Sequence, residues 1–161
     1  MSKVGRKYSV MVTIEPLAAL PPDDLAELVA DSKQGGWQFV ERLVEEWHSG
    51  FSRFDRSGEV LYAARRDGCI VGVCGLNVDP YAGDIRVGRV RHLYVLSSSR
   101  RHGVGRQLVL AVIAAGRQSF GRLHLRTNNP EAARVYEALQ FSRCADSADY
   151  THALVLHRSR S

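Results

Sequence analysis

The fold is decided by the stretch Ser97-Ser98-Ser99-Arg100-Arg101-His102-Gly103-Val104-Gly105-Arg106, which joins a β-strand pattern ending at Val95 to a long apolar helix pattern. The first amides of a helix have no intrahelical acceptor, and with the positive end of the helix dipole they form a site for an anion. The two glycines allow the backbone to approach that anion closely, and the arginines add positive charge. The stretch therefore predicts an anion-binding turn. An equally good interpretation is a tight strand-to-helix turn with solvated arginines.

Two other phosphate-binding motifs do not fit this turn. A P-loop has lysine and then serine or threonine after its last glycine, whereas Arg106 and Gln107 follow Gly105. A dinucleotide-binding fingerprint has another glycine three residues later, where Leu108 stands. The sequence therefore argues against sites for a nucleoside triphosphate or a dinucleotide.

Hydrophobic periodicity around the turn predicts alternating strands and helices. Upstream we expect strands at 8–14, 59–66, 69–78 and 87–95, a helix beginning near Asp23 and a second helix whose apolar stripe runs from Trp37 to Trp47. Downstream we expect a helix at 104–118, a strand at 123–125, a helix at 130–139 and a strand near 152–157. The Asp67-Gly68 pair indicates a hairpin, because both residues tolerate positive φ. This order predicts an α/β fold with a mixed sheet.

Length and composition favour one globular domain over residues 1–161, with 45% hydrophobic and 24% charged residues. The longest apolar stretch, 108–115, is far shorter than the ~20 residues that cross a bilayer. Three cysteines without CxxC spacing, and histidines without metal-site spacing, argue against a disulfide framework and a metal site. The net charge of +5 comes from arginines scattered among acids, which argues against nucleic-acid binding. We expect a soluble, cytoplasmic protein without membrane or nucleic-acid partners.

A second motif lies downstream, in the segment Asn129-Pro130-Glu131-Ala132-Ala133-Arg134-Val135-Tyr136-Glu137-Ala138-Leu139-Gln140-Phe141. Together with Arg-x-x-Gly-x-Gly behind the strand segment 90–95, it resembles the paired motifs of the GNAT acyltransferase superfamily. The similarity covers roughly residues 69–141. The resemblance implies a single GNAT-like domain. Its mixed central sheet would have six to seven strands, flanked by about four helices and splayed between the fourth and fifth strands.

The same resemblance implies acetyl-CoA as co-substrate. The pyrophosphate would lie on the glycine-containing loop, and the pantetheine amides would pair with the edge of the strand at 93–95. The implied cofactor-binding residues are Leu93, Tyr94, Val95, Arg100, Arg101, His102, Gly103, Val104, Gly105, Arg106 and Asn129. Asn129 before Pro130 is also a good helix start, so a capping role alone is nearly as good an interpretation of that asparagine.

The catalytic acid that the resemblance implies is Tyr136, which would protonate the departing thiolate. Helical periodicity alone would make the same tyrosine a core aromatic. The implied reaction is direct attack of a primary amine on the thioester in a ternary complex, giving an oxyanion that backbone amides at a bulge in 93–95 would stabilise. The acceptor would be a small-molecule or peptide amine.

The general base is less well defined. Strand alternation places His124 opposite Leu123 and Leu125, so it is our first candidate for a base facing the cleft. His92 is the second candidate, and a water relay is an equal alternative.

A different function follows from one departure from the family pattern. Arg91 and His92 stand where many relatives have a strand glutamate, so a non-catalytic acyl-CoA-binding or sensing module is the alternative. Asp79 and Asp84 are candidates to attract a cationic amine, although turn formation explains them more simply. Family members are often dimers, so a homodimer is a further expectation.

Overall fold

Seven strands form one open sheet in the computed structural model, which describes residues 11–20 and 23–157. The strands are β1 (Thr13–Pro16), β2 (Val60–Arg66), β3 (Cys69–Val78), β4 (Val87–Val95), β5 (Arg122–Leu125), β6 (Ser142–Arg143) and β7 (His152–Val155). They lie in the order β1-β2-β3-β4-β5-β7-β6. All neighbours are antiparallel except β4 and β5, which are parallel.

Four α-helices in the described part of the chain accompany the sheet: α1 (Ala26–Gln34), α2 (Phe39–Ser49), α3 (Val104–Ser119) and α4 (Pro130–Ala138). A short 3-10 helix, Ser97–Ser99, follows β4. The predicted mixed sheet of six to seven strands with about four helices is confirmed. No helix in residues 11–20 and 23–157 combines the length and apolar character needed to cross a bilayer.

The β2–β3 hairpin turns at Asp67-Gly68, as the sequence predicts. Both residues have positive φ, 53° and 82° respectively, which matches the twist of the two flanking strands. The pairing continues from Arg66 opposite Cys69 to Val60 opposite Leu76. The hairpin thereby fixes the register of the antiparallel half of the sheet.

The sheet splays between β4 and β5, and this separation creates the cleft. Only three residue pairs join the two strands, the last being Arg89 opposite His124. Beyond that pair β4 continues to Val95, whereas β5 ends at Leu125. The backbone of the second half of β4 therefore faces the cleft without pairing with any residue of β5.

A β-bulge bends β4 in that same half. Gly75 pairs with Arg91 and Val73 with Tyr94, so one residue of β3 stands opposite two of β4, His92 and Leu93. His92 has a φ of 61°, a left-handed conformation that is uncommon for a residue other than glycine. The bulge turns the local backbone of β4, as bulges near active sites often do.

The hydrophobic core joins the sheet to α1, α2 and α3. The core face of α3 is buried through Leu108, Val109 and Val112, each with no exposed surface. A side chain at Gly72 of β3 would meet Leu108 at 3.0 Å and the Tyr94 carbonyl oxygen at 3.1 Å. Glycine there therefore allows α3 to pack closely on β3, which positions the amino end of α3 beside the end of β4.

Some element boundaries differ from the sequence predictions. The first strand spans 13–16 rather than 8–14, and residues 8–10 of that prediction lie outside the described residues. Pro16 ends it, which is tolerated because β1 is an edge strand. A turn occupies 23–25 before α1, β7 ends at Val155, and the short strand β6 was not predicted, since two residues carry no periodicity.

Candidate active site

Two adjoining cavities lie where β4 and β5 diverge. The larger cavity has a volume of about 470 Å³ and the smaller about 340 Å³. Phe39, Leu93, Asn129 and Ala132 line both, so the cavities meet between the β4 bulge and the start of α4. A cleft of two connected compartments can hold two molecules in contact with each other.

The smaller cavity is built around the amino end of α3. Gly103 is the residue before the helix, has a φ of 81° and supplies no capping side chain. Arg101 also has a positive φ of 68°, so the loop curls and directs successive amides to one side. The first amides of α3 have no intrahelical acceptor, and an anion satisfies them with the helix dipole. This geometry fits a pyrophosphate group.

Asp31 of α1 anchors the segment between β4 and α3 by hydrogen bonds. Its carboxylate accepts hydrogen bonds from the Tyr94 hydroxyl at 2.5 Å, the Ser97 hydroxyl at 2.7 Å and the Ser97 amide at 3.1 Å. Burial alone would raise the pKa of Asp31, but the bonds from Ser97 and Tyr94 outweigh it and lower the pKa. Burial and the Asp31 contact raise the pKa of Tyr94 to about 12. Asp31 thus stays ionised and Tyr94 protonated.

The predicted cofactor-binding residues come together around the smaller cavity, with one exception. Those that line it are Leu93, Tyr94, Val95, Arg100, Arg101, Gly103, Val104, Gly105, Arg106 and Asn129. His102 is exposed and does not line it. The Arg100 Nε donates to the Val95 carbonyl at 2.9 Å, and its guanidinium lies 5.1 Å from the Tyr94 ring centre. Arg100 therefore also anchors the loop.

Asn129 both caps α4 and lines the junction of the two cavities. Its side-chain oxygen accepts a hydrogen bond from the Glu131 amide at 3.0 Å. Because the oxygen is engaged, the amide NH₂ is the group available to a ligand. The two interpretations of Asn129, helix cap and cofactor contact, are therefore compatible.

Tyr136 lines the larger cavity, four residues and one helical turn after Ala132 at the junction. Its ring is 4% exposed and packs against Phe141 at 5.4 Å between ring centres. Burial, together with the nearby Cys74, raises the pKa of Tyr136 well above its usual value. Tyr136 therefore keeps its proton throughout the neutral range and is a core aromatic that also lines the cavity.

His92 at the bulge is the histidine that lines the larger cavity. It is 9% exposed, and neither ring nitrogen has a well-aligned hydrogen-bond partner in the described chain. The Phe39 backbone lies close enough to favour the protonated ring slightly. Burial, with a contribution from the Arg91 charge, nevertheless lowers the pKa of His92 to about 3. His92 is therefore a neutral imidazole and a weak base.

His124 lies elsewhere, which corrects the expectation that it faces the cleft. Its Nδ1 is 3.1 Å from an Asp79 carboxylate oxygen, and its Nε2 accepts a hydrogen bond from Arg122 Nε at 2.8 Å. Its ring stacks on Tyr150 at 3.8 Å, and it lines neither cavity. Burial lowers the pKa of His124. Alternation of side chains did not identify an open face here, because Leu123, His124 and Leu125 are all buried in an internal strand.

The two aspartates considered for binding a cationic amine are also engaged within the protein. Asp79 is buried, where it contacts His124 and accepts a hydrogen bond from the Tyr81 amide at 2.8 Å. Asp84 accepts hydrogen bonds from the amide and side chain of Arg86. Turn formation, the simpler interpretation, accounts for both.

Comparison with known proteins places this geometry in a family. The sequence model of the Acetyltransferase (GNAT) family matches residues 23–141. The chain belongs to the GNAT acetyltransferase family. The match begins well before the segment in which the motifs are recognisable, and it includes α1 with Asp31.

Solved structures of similar fold support the assignment. A proposed acetyltransferase from Exiguobacterium sp. 255-15 is 28% identical, with a TM-score of 0.80 over 90% of this chain and 93% of that one. A proposed acetyltransferase, yncA of Salmonella typhimurium, solved with acetyl-CoA, is 14% identical, with a TM-score of 0.67 over 93% and 96% of the two chains. YhbS of Escherichia coli, solved with CoA, is 15% identical, with a TM-score of 0.66 over 92% and 83%. The last two likenesses show the GNAT fold.

Sequence reasoning missed two parts of this GNAT site. Asp31 carries no local motif, because its partners Tyr94 and Ser97 are more than sixty residues away in the chain. The arginines that line the larger cavity come from α2, β4 and the segment after β5: Arg42, Arg89, Arg91 and Arg126. Arg91 was noted only as a departure from the family pattern. Only the fold shows that the four share one cavity.

Proposed function

We propose that this protein is an N-acetyltransferase that moves an acetyl group from acetyl-CoA to a primary amine by direct attack in a ternary complex. The observation that carries the proposal is the pair of connected cavities, with an anion-binding helix terminus in one and a protonated tyrosine in the other. Their junction at Leu93, Asn129 and Ala132 is where the thioester and the amine would meet.

The smaller cavity fits the cofactor. Gly103 and the amides of α3 would hold the pyrophosphate, Arg101 and Arg106 would add positive charge, and the unpaired edge of β4 would bind the amides of the pantetheine arm. A side chain at Gly103 would meet no atom within 4 Å, so the space beside this glycine is open. Acetyl-CoA supplies the activated acetyl group when bound.

Tyr136 is the proposed general acid. The new bond forms between the amine nitrogen and the acetyl carbon, the carbon–sulfur bond breaks, and the hydroxyl of Tyr136 donates a proton to the departing sulfur. The raised pKa of Tyr136 keeps that proton in place before reaction. A buried phenol is a weak acid, so its position next to the junction contributes more than its acidity.

His92 is the proposed proton acceptor for the amine, directly or through water. It lines the cavity, its ring nitrogens lack well-aligned partners, and it is neutral at physiological pH. The lowered pKa of His92 also makes the ring a weak base, so its position contributes more to this role than its basicity. The amide of Leu93, displaced by the bulge, is the proposed donor to the oxygen that becomes negative during attack. Both groups come from the same irregular part of β4.

The test is thiol release from acetyl-CoA across a library of primary amines. We expect turnover by the wild-type protein, slower turnover by Tyr136→Phe and unchanged turnover by Tyr150→Phe. Tyr150 is the matched control, because it packs on His124 and lines neither cavity. Equal rates for wild type and Tyr136→Phe would remove the assigned role of that tyrosine.

One observation favours a second candidate, a non-catalytic acyl-CoA-binding module. Within the described residues, no aspartate or glutamate lines the larger cavity, so the cavity offers no carboxylate base. Tight binding of acetyl-CoA in calorimetry, without turnover of any amine, would support this candidate over the enzyme.

A further inference from the structure

The larger cavity is strongly basic. Four arginines line it, Arg42, Arg89, Arg91 and Arg126, and no lining residue in the described chain is acidic. The pyrophosphate-binding loop does not explain this charge, because its arginines line only the smaller cavity. The charge therefore belongs to the compartment that receives the acceptor.

Carboxylates partly neutralise the positive charge of two of these arginines. Arg91 lies 3.7 Å from a Glu46 carboxylate oxygen, and Arg89 lies 3.8 Å from a carboxylate oxygen of buried Asp79. Arg42 and Arg126 form no ion pair with any residue in 11–20 or 23–157, and both are exposed. The cavity thus retains positive charge that nothing in the described protein balances.

Arg89 adds a buried group with unused hydrogen-bonding capacity. The residue is 8% exposed, and its Nη2 donates to the Asp149 carbonyl at 2.9 Å. Its Nη1 is buried and lies 3.8 Å from the Asp79 carboxylate, too far for a hydrogen bond, so it has no hydrogen-bond partner in the described chain. Leaving a buried charged donor without a hydrogen bond is costly, and a ligand oxyanion at this position would supply one.

We propose that the acceptor is a primary amine that also carries an oxyanion, a carboxylate in its simplest form, bound by Arg126, Arg42 and Nη1 of Arg89. This inference rests on the proposed function and names its substrate class. A purely cationic amine would be repelled by the unbalanced guanidinium groups of Arg42 and Arg126, whereas the anionic group of such an acceptor offsets that repulsion. The same field disfavours the ammonium form of the bound amine and so favours the nucleophilic neutral form.

The test compares kcat/KM for matched acceptors that differ only in the oxyanion. One set is phenylalanine, phenylalaninamide and phenethylamine, and a second is phosphoethanolamine and ethanolamine. The first set tests a carboxylate and the second a phosphate. We expect the oxyanion-bearing member of at least one set to exceed its neutral counterparts by roughly 10- to 100-fold, the factor typical of a charge-assisted hydrogen bond.

Two variants test whether the preference for anionic acceptors arises from the arginines of the larger cavity. Arg126→Gln is expected to reduce the ratio of kcat/KM between the anionic and the neutral acceptor at least tenfold while CoA binding in calorimetry stays the same. Arg117→Gln, on the exposed side of α3 and outside both cavities, is expected to leave that ratio unchanged.

Turnover of neutral amines or diamines at rates equal to or above those of the anionic acceptors would overturn this inference and leave the acetyltransferase proposal intact. Binding of CoA without turnover of any acceptor would instead overturn the acetyltransferase proposal on which the inference rests.

Discussion

Replacing Gly103 by alanine tests whether the loop before α3 binds CoA, and the same replacement at Gly68 is the control. Gly103 has a φ of +81° and Gly68, in the β2–β3 hairpin, has a φ of +82°. A side chain at either position would meet no atom within 4 Å, so neither substitution causes a clash. The two glycines differ in one respect: Gly103 lines the smaller cavity and Gly68 is remote from it.

The expected stability cost is the same for both variants. A left-handed conformation costs a residue with a Cβ atom about 1–2 kcal/mol. For a protein of this size, each kcal/mol lowers the melting temperature by about 2–4 °C, so we expect losses of about 2–8 °C for Gly103→Ala and Gly68→Ala alike. Differential scanning calorimetry measures this directly.

The expected effect on cofactor binding separates the two variants. An added methyl group at Gly103 enters the open space beside the helix amides and prevents close approach of the pyrophosphate. Loss of one charge-assisted hydrogen bond weakens binding by about 1.5–3 kcal/mol, or roughly 10- to 100-fold in Kd for CoA. Gly68→Ala should bind CoA like wild type. Equal CoA affinity in the two variants would refute the role given to this loop.

Three other substitutions give distinct readouts. Tyr136→Phe should lower kcat by about 10²-fold in steady-state kinetics and leave the Kd for CoA in calorimetry within a factor of two. An unchanged kcat would contradict the role of Tyr136 as general acid. Asp31→Asn should lower the free energy of unfolding by about 1–3 kcal/mol in urea denaturation, because Tyr94 and Ser97 lose an ionised partner. It should also raise the KM for acetyl-CoA more than it changes kcat. A KM equal to that of wild type would contradict the proposal that Asp31 anchors the loop. His92 has a folded pKa of about 3, below the ordinary value near 6.5 of the unfolded chain, so its contribution to stability is full above pH 6.5 and is lost as pH falls toward 3. Stability measured against pH should fall by up to about 1.4 kcal/mol per pH unit in that window, less steeply in His92→Gln, and equal slopes would show that His92 titrates normally.

The elements that the sequence predicts best are those whose signals are local. Asp67-Gly68 specifies its hairpin through backbone conformation alone, and the strand Val87–Val95 has the predicted boundaries. The turn before α3 was also predictable, because its glycines lie directly before the start of the helix in the sequence. The family match then confirms the paired motifs as parts of one GNAT fold.

The features that the sequence does not predict depend on pairing across the fold. The family resemblance implies a bulge at 93–95, but no residue near His92 signals that the bulge falls at 92–93 or that His92 has a left-handed φ. The environment of His124 depends on contacts with Asp79 and Tyr150 from other segments, so alternation along β5 could not show that this side chain is covered. The basic lining of the larger cavity likewise comes from three separate parts of the chain.

The central claim is acetyl transfer to an amine in the cleft between β4 and β5. Mass spectrometry of reactions with acetyl-CoA labelled in its acetyl carbons tests it most directly. We predict that the labelled acetyl group appears on the nitrogen of the amine acceptor with wild type, and at least tenfold more slowly with Tyr136→Phe. Tight CoA binding without labelled product from any acceptor would contradict the claim.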